Sequence, residues 1–409
     1  MDSAKPQTDP AVQARSFRRQ VFYLPGYDPF HPRRYRELYR KEAREQAAIS
    51  GYDLTLRPRK GEGAYGWQVA TRIRGQSSQA EVQVLVWADI VKASMAHGIA
   101  ATYLQLLRTA WVYIASGALF RLIRLRKGPM IAALYPVAFL VGQLAIALLA
   151  GFGLGAELAR LIHSAAGWVV GPPLVWLTLR LFRRWDGRIF AYYLMHDYAY
   201  SAQGWGATPP ELRARMRAFQ SEIAEALRGE ADEVLVVGHS SGAHLGVSIL
   251  ADLIRQGLPT HRPVLSFLTL GQVVPMVSFL PKAQELRADL AFLSASEALT
   301  WVDISAPGDG CAFALCDPVS VTGVAPPGKR WPLVLSAAFT QTLSPARWKA
   351  LRWRFFRLHF QYLCAFDRPG DYDYFQITAG PMTLAARYAG REPSKSRIES
   401  PLSGYTSLS

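Results

Sequence analysis

Gly238-His239-Ser240-Ser241-Gly242 sets a serine between two glycines, where an apolar run meets a helix-like stretch. The run Glu233-Val234-Leu235-Val236-Val237 reads as a strand buried on both faces, and Ala243 to Arg255 as a helix. A sharp strand-to-helix turn holds its central residue in strained backbone angles and lifts that side chain above the sheet. Small residues on either side let the chain pack through the turn. The helix start adds a positive dipole end that favours a developing oxyanion. The chemistry this predicts is nucleophilic attack by the Ser240 hydroxyl; the bland alternative is a Gly-rich turn with no chemical use. A hydroxyl needs a base to take its proton, so a histidine partner is required. The chain has eight: His31, His97, His163, His196, His239, His244, His261 and His359.

Through Leu235-Val236-Val237-Gly238-His239-Ser240-Ser241-Gly242 the sequence resembles the α/β-hydrolase superfamily, particularly its lipases and esterases. The resemblance covers Val21 to Asp89 and Pro209 to Gly380. Ala243 stands where many members carry a further glycine. It implies an order of nucleophile, acid, then histidine, so both partners are expected downstream. His244 and His261 come too early for that order, and the turn should aim His239 elsewhere. His359 is then the expected base, its alternative being a structural histidine among the aromatics of Arg357-Leu358-His359-Phe360-Gln361-Tyr362. The acid is expected on the loop Ser305-Ala306-Pro307-Gly308-Asp309-Gly310, after the strand Leu299 to Ile304, which favours Asp309. Asp303 and Asp317 remain alternatives. The resemblance also implies a backbone oxyanion hole from the amides of Ser241 and Tyr27, the latter in Leu24-Pro25-Gly26-Tyr27-Asp28. A plain turn is the other reading of that segment.

These residues need a scaffold, and the remaining patterns supply one. Strands are expected at Val21–Leu24, Tyr52–Leu56, Trp67–Ile73, Val82–Trp87, Val264–Leu270 and Leu299–Ile304. Helices are expected from Pro32 to Ala48 and from Pro209 to Gly229. Thr208 is the expected cap of the second, with Pro209 at its first position and Glu211 closing a capping box. Strands alternating with helices predict an α/β fold, a mostly parallel sheet with helices on both faces.

Half of the 409 residues are apolar and only 19% are charged, and the net charge is +15. The shortage of charge is concentrated in the middle. Gly128 to Ala156 contains 29 positions without a charged residue, where a membrane-crossing helix needs about 20. Leu161 to Leu179 is a second such stretch, interrupted by Gly171-Pro172-Pro173; proline is tolerated inside membrane helices. The reading is a membrane helical hairpin with spans at about 129–156 and 161–179, inserted into the α/β domain. Arg121, Arg124, Arg126 and Lys127 precede it, and Arg180, Arg183, Arg184 and Arg188 follow it. Basic flanks predict that both ends face the cytoplasm. Met95 to Phe120 reads as an interfacial helix.

The expected organisation is a disordered 1–14, a first part of the α/β domain at 15–94 and a membrane-associated insertion at 95–190. A second part of the domain follows at 191–390, then a disordered tail at 391–409. The polar start carries no apolar core of a cleavable signal peptide. Three cysteines, Cys311, Cys316 and Cys364, make neither a disulfide framework nor a zinc site. No nucleic-acid module is visible, so the positive charge is assigned to lipid. The expected function is a membrane-anchored serine hydrolase that cleaves a lipid-like or amphipathic ester, without metal or organic cofactor. The alternatives are an acyltransferase with the same residues and a non-catalytic membrane scaffold that kept the fold. Oligomeric state is not legible.

Overall fold

Apolar side chains alternate along Phe17–Leu24, Val21 and Tyr23 entering one core, Phe22 and Leu24 another. A strand apolar on both faces must be covered on both, and this one lies inside a sheet. The computed structural model describes residues 15–59 and 64–409, so the expected disordered segment 1–14 lies outside the described residues. Among the described residues eight strands are present: β1 (Phe17–Leu24), β2 (Asp53–Pro58), β3 (Gly66–Ile73), β4 (Gln76–Val84), β5 (Glu233–His239), β6 (Val264–Leu270), β7 (Thr300–Ser305) and β8 (Leu333–Ser336). They form one sheet in the order β2-β3-β4-β1-β5-β6-β7-β8. Every neighbouring pair from β4 to β8 is parallel, and β3 runs antiparallel to both β2 and β4. The fold is α/β with a mixed, mostly parallel sheet.

Helices fill both faces. One core takes Tyr35, Tyr39, Ala43 and Ala47 of α1 (Arg33–Ser50). The other takes apolar residues of the helices Pro210–Ala226, Gly242–Arg255 and Gln284–Ala295. The helix after residue 208 starts at Pro210 with Pro209 as its N-cap and no side-chain capping bond, so Thr208 does not cap it. The strand expected at Val82–Trp87 ends at Val84, and β8 had no counterpart among the expected strands.

Between β4 and β5 the chain leaves the sheet for a helical body. It contains α2 (Ile99–Ala115), α3 (Ala118–Leu125), α4 (Lys127–Leu161), α5 (Ser164–Arg184) and α6 (Ala191–Ala202). Among the described residues one single helix, α4, is long and apolar enough to cross a membrane, with mean hydropathy 2.2 over its best window and only 22% of that window buried. Its neighbour α5 does not reach that apolarity, because Pro172 and Pro173 and a basic last turn fall within it. The two lie antiparallel at close range: a Cβ at Gly167 would stand 2.7 Å from Gly155 O, and one at Gly171 3.2 Å from Gly151 O. The segment expected to be one interfacial helix holds two helices, α2 and α3, bent by 76° about Ser116-Gly117.

Two boundaries differ from expectation. Helix α6, assigned by sequence to the second part of the α/β domain, packs its Ala191, Tyr192 and Met195 with Leu106 of α2 and Leu140 of α4. The helical body therefore runs beyond residue 190. The tail 391–409 lies along the domain rather than away from it. Ile398 bridges Cys316, Leu402 N–H donates to Val321 O at 2.9 Å, and Arg287 donates to Ser407 O at 2.8 Å. A polar tail can be held this way because extended backbone satisfies buried donors such as the Arg287 guanidinium.

Candidate active site

Parallel neighbours β1 and β5 are in register with Leu24 opposite Gly238, so the segments leaving both strands meet at one edge of the sheet. That edge, at the carboxyl ends of the strands, is where open α/β sheets bind ligands. Ser240 sits there with φ +57°, a left-handed conformation uncommon for a residue with a side chain. The turn is held by Ser240 N–H to Leu270 O at 2.9 Å and Ala243 N–H to Ser240 O at 3.1 Å. Glycine is required on both sides. A Cβ at Gly238 would lie 2.7 Å from Gly242 O, and one at Gly242 2.1 Å from Leu24 O. The strained turn expected from the sequence is present.

His359 ends the short helix Phe355–His359, and Asp309 follows β7 on its loop. The buried His359 ring donates from Nδ1 to Asp309 Oδ2 at 2.8 Å. Asp309 is further fixed by Tyr362, whose hydroxyl donates to Oδ2 at 3.1 Å while accepting Ala306 N–H at 3.0 Å. Its Oδ1 accepts Cys311 N–H at 2.9 Å. The other two aspartates are engaged elsewhere. Asp303 accepts from Thr269 Oγ1 at 2.6 Å inside the sheet, and Asp317 caps a short helix and pairs with Lys329 at 2.6 Å. Among the described residues no hydrogen bond joins Ser240 Oγ to the His359 ring, although both stand at the same sheet edge.

Tyr27 N–H donates to Ser241 Oγ at 3.2 Å, which places the two expected oxyanion donors beside each other. The Ser241 N–H, ahead of the helix Gly242–Arg255, has no internal acceptor among the described residues and is a free donor. Gly26 closes the space above the serine: a Cβ there would lie 2.9 Å from Ser240 Cβ and 3.3 Å from Oγ.

Sequence reasoning missed three participants. His239 turns under the site; its ring stacks on His359 with centroids 4.8 Å apart, and Nε2 donates to His359 O at 3.0 Å. Burial, with the nearby His359, lowers His239 to about 3, so it stays neutral. Tyr362 is the second. Asp197 of α6 is the third: burial raises its carboxyl to about 7, and His359 acts in the opposite sense. The motif marks His239 only as a neighbour of the serine, and nothing in the Tyr-rich segment around Asp197 marks it at all.

Asp309, Cys311 and His359 also bring a carboxylate oxygen, a thiol and an imidazole nitrogen within 4.8 Å of one another. Burial pushes the Cys311 thiol well up, away from the thiolate a metal would bind, and the carboxylate already holds the imidazole N–H. The hydrogen-bonded arrangement is the better account of the cluster. The chain matches no family model, no curated protein and no solved structure.

Proposed function

We propose that this chain is a membrane-anchored serine hydrolase of the α/β-hydrolase type, acting on a carboxylic ester through an acyl-enzyme. The observation that carries the reading is the left-handed Ser240 at the sheet edge that also holds the His359–Asp309 pair. Ser240 Oγ attacks the carbonyl carbon as its proton passes to His359 Nε2. Asp309, bonded to Nδ1, keeps the ring in the tautomer that can accept that proton. The oxyanion takes the Ser241 N–H, and the Tyr27 N–H once Ser241 Oγ yields it. The alcohol leaves with the proton from His359, and water repeats the sequence to free the acid. Hydrogen bonds of this kind tighten when substrate binds, and the one from Ser240 Oγ to His359 Nε2 is expected to form at that point. An acyltransferase would use the same residues with another acceptor in place of water.

The anchor is α4, with α5 as a kinked second span. Large apolar side chains stand free along both, among them Leu149 at 75% and Trp168 at 77% exposed. Such a surface calls for lipid. Arginines before α4 and at the end of α5 support a cytoplasmic catalytic domain. A lipid-like or amphipathic ester follows from that location.

The test is labelling with a fluorophosphonate probe. Wild type is expected to label, while Ser240→Ala and His359→Ala are not. Undiminished labelling of Ser240→Ala would sink the mechanism, and full ester turnover by His359→Ala would remove that base.

A further inference from the structure

Where the helical body meets the sheet, the start of α4 packs on the loop that carries Asp309. A Cβ at Gly128, in the first turn of α4, would stand 3.4 Å from Gly310 Cα. Beside that contact lies an open cleft of about 530 Å³, inside the range of about 300–1,000 Å³ over which ligand pockets fall. One wall holds Arg124, Arg126 and Lys127, from the end of α3 to the start of α4. The other holds Pro307, Asp309 and Ala314. Asp309 is the one acid on the wall, and its oxygens are taken by His359, Tyr362 and the Cys311 amide. Arg126 Nε donates to Ala314 O at 2.9 Å, which fixes that side chain and leaves its charge unbalanced. Arg124 and Lys127 are exposed, and among the described residues none of the three cations is in an ion pair. Like charges gathered without a counter-ion repel one another, and an anion placed among them relieves this.

The cleft also stands at a boundary. Gly128 opens the charge-free run, and Ile131 and Leu134, farther along α4, are 66% and 44% exposed. We propose that this cleft binds the headgroup of an anionic phospholipid, its phosphate held by Arg124 and Lys127 and its acyl chains lying along α4. Basic pockets at the charged end of membrane helices hold such headgroups, and guanidinium matches phosphate in charge and geometry. A zwitterionic headgroup would bring its own ammonium among three cations and is disfavoured. A soluble phosphate would leave Ile131 and Leu134 uncovered. The bound lipid would join the membrane helix to the loop of the proposed acid. The proposal rests on the reading of α4 as a membrane helix, not on the ester chemistry.

Native mass spectrometry of the full chain in a neutral detergent reads the bound lipid directly. The titrants are dioleoyl phosphatidylglycerol, dioleoyl phosphatidylcholine and glycerol 3-phosphate. Phosphatidylglycerol is expected to bind at least about tenfold more tightly than either of the others. Arg124→Gln/Lys127→Gln should remove that preference. Arg180→Gln/Arg184→Gln, which takes the same charge from the other end of the hairpin, should keep it. Equal affinity of wild type for the two lipids overturns the proposal, as does equal loss in the two double variants, their folding checked by melting. Glycerol 3-phosphate binding as tightly as the lipid overturns it too, since the cleft would then serve a soluble anion. The wild-type comparisons decide even where a variant does not fold. Selective lipid binding by a chain that carbonate strips from membranes would leave the headgroup site standing and the anchor reading fallen.

Discussion

His239 Nε2 donates to the main-chain oxygen of His359 at 3.0 Å, so the residue before the proposed nucleophile holds the backbone of the proposed base. This makes His239 a positioning residue. His239→Phe keeps the stacked ring and loses the donor, and is expected to lower kcat about tenfold with KM unchanged, the worth of one such hydrogen bond. His239→Gln, which can still donate, should recover part of the loss. Because burial keeps His239 neutral down to about 3, neither variant should move the acid limb of the pH–rate profile. Steady-state kinetics on a soluble ester across pH would read all three points.

Gly26 is expected to be intolerant of any side chain. The added methyl of Gly26→Ala must displace Ser240, whose Cβ would be 2.9 Å away. A misplacement of this size costs about 100-fold in rate. The rate of fluorophosphonate labelling should fall accordingly while the melting temperature stays near wild type; wild-type labelling would show that the segment after β1 does not border the nucleophile.

Asp303 carries a pH dependence whose direction follows from burial. Its folded-state value is raised from 3.8 to about 7, chiefly by desolvation. A carboxyl raised on folding favours the folded state most below 3.8, and that contribution is lost as pH climbs to about 7. Asp303→Asn cannot ionise, so its melting temperature relative to wild type should rise between pH 4 and 7 and level off above. The shift should reach at least about 2–4 °C. Melting curves of both proteins in matched buffers measure it, and a difference independent of pH would contradict the assignment.

Leu149, 75% exposed on α4, is expected to face hydrocarbon. Leu149→Arg should then cost about 2.5–3.5 kcal/mol of insertion and shift the chain from the carbonate-resistant membrane fraction toward the soluble one. Retention of the variant in the membrane fraction, equal to wild type, would argue that α4 is not the anchor.

Local pattern was enough for the turn around Ser240 and for the long apolar helix. Gly-x-Ser-x-Gly between a buried strand and a helix is a constraint within a dozen residues, and a run of 29 uncharged positions needs no partner to be read. β6 was legible at both ends for the same reason, its residues being apolar and bounded by turns. Partnerships across the chain were legible only where order restricted the choice. The order that the resemblance implies singled out His359 among the histidines, but Asp303, Asp309 and Asp317 all follow strand-like or turn-like residues, and composition does not rank them. Sheet order and the packing of Tyr362 put one of the three against a ring 50 positions away. Asp197 reaches the same corner because α6 folds back onto α2 and α4, which no periodicity in its own segment encodes. By itself, then, the sequence determined most of the strands, the main helices of the α/β part and the long apolar helix, since burial writes a period into neighbouring residues. Tertiary structure alone decided which acid meets the histidine, where His239 and Asp197 point and that the tail is docked, since those depend on contacts between segments far apart in the chain.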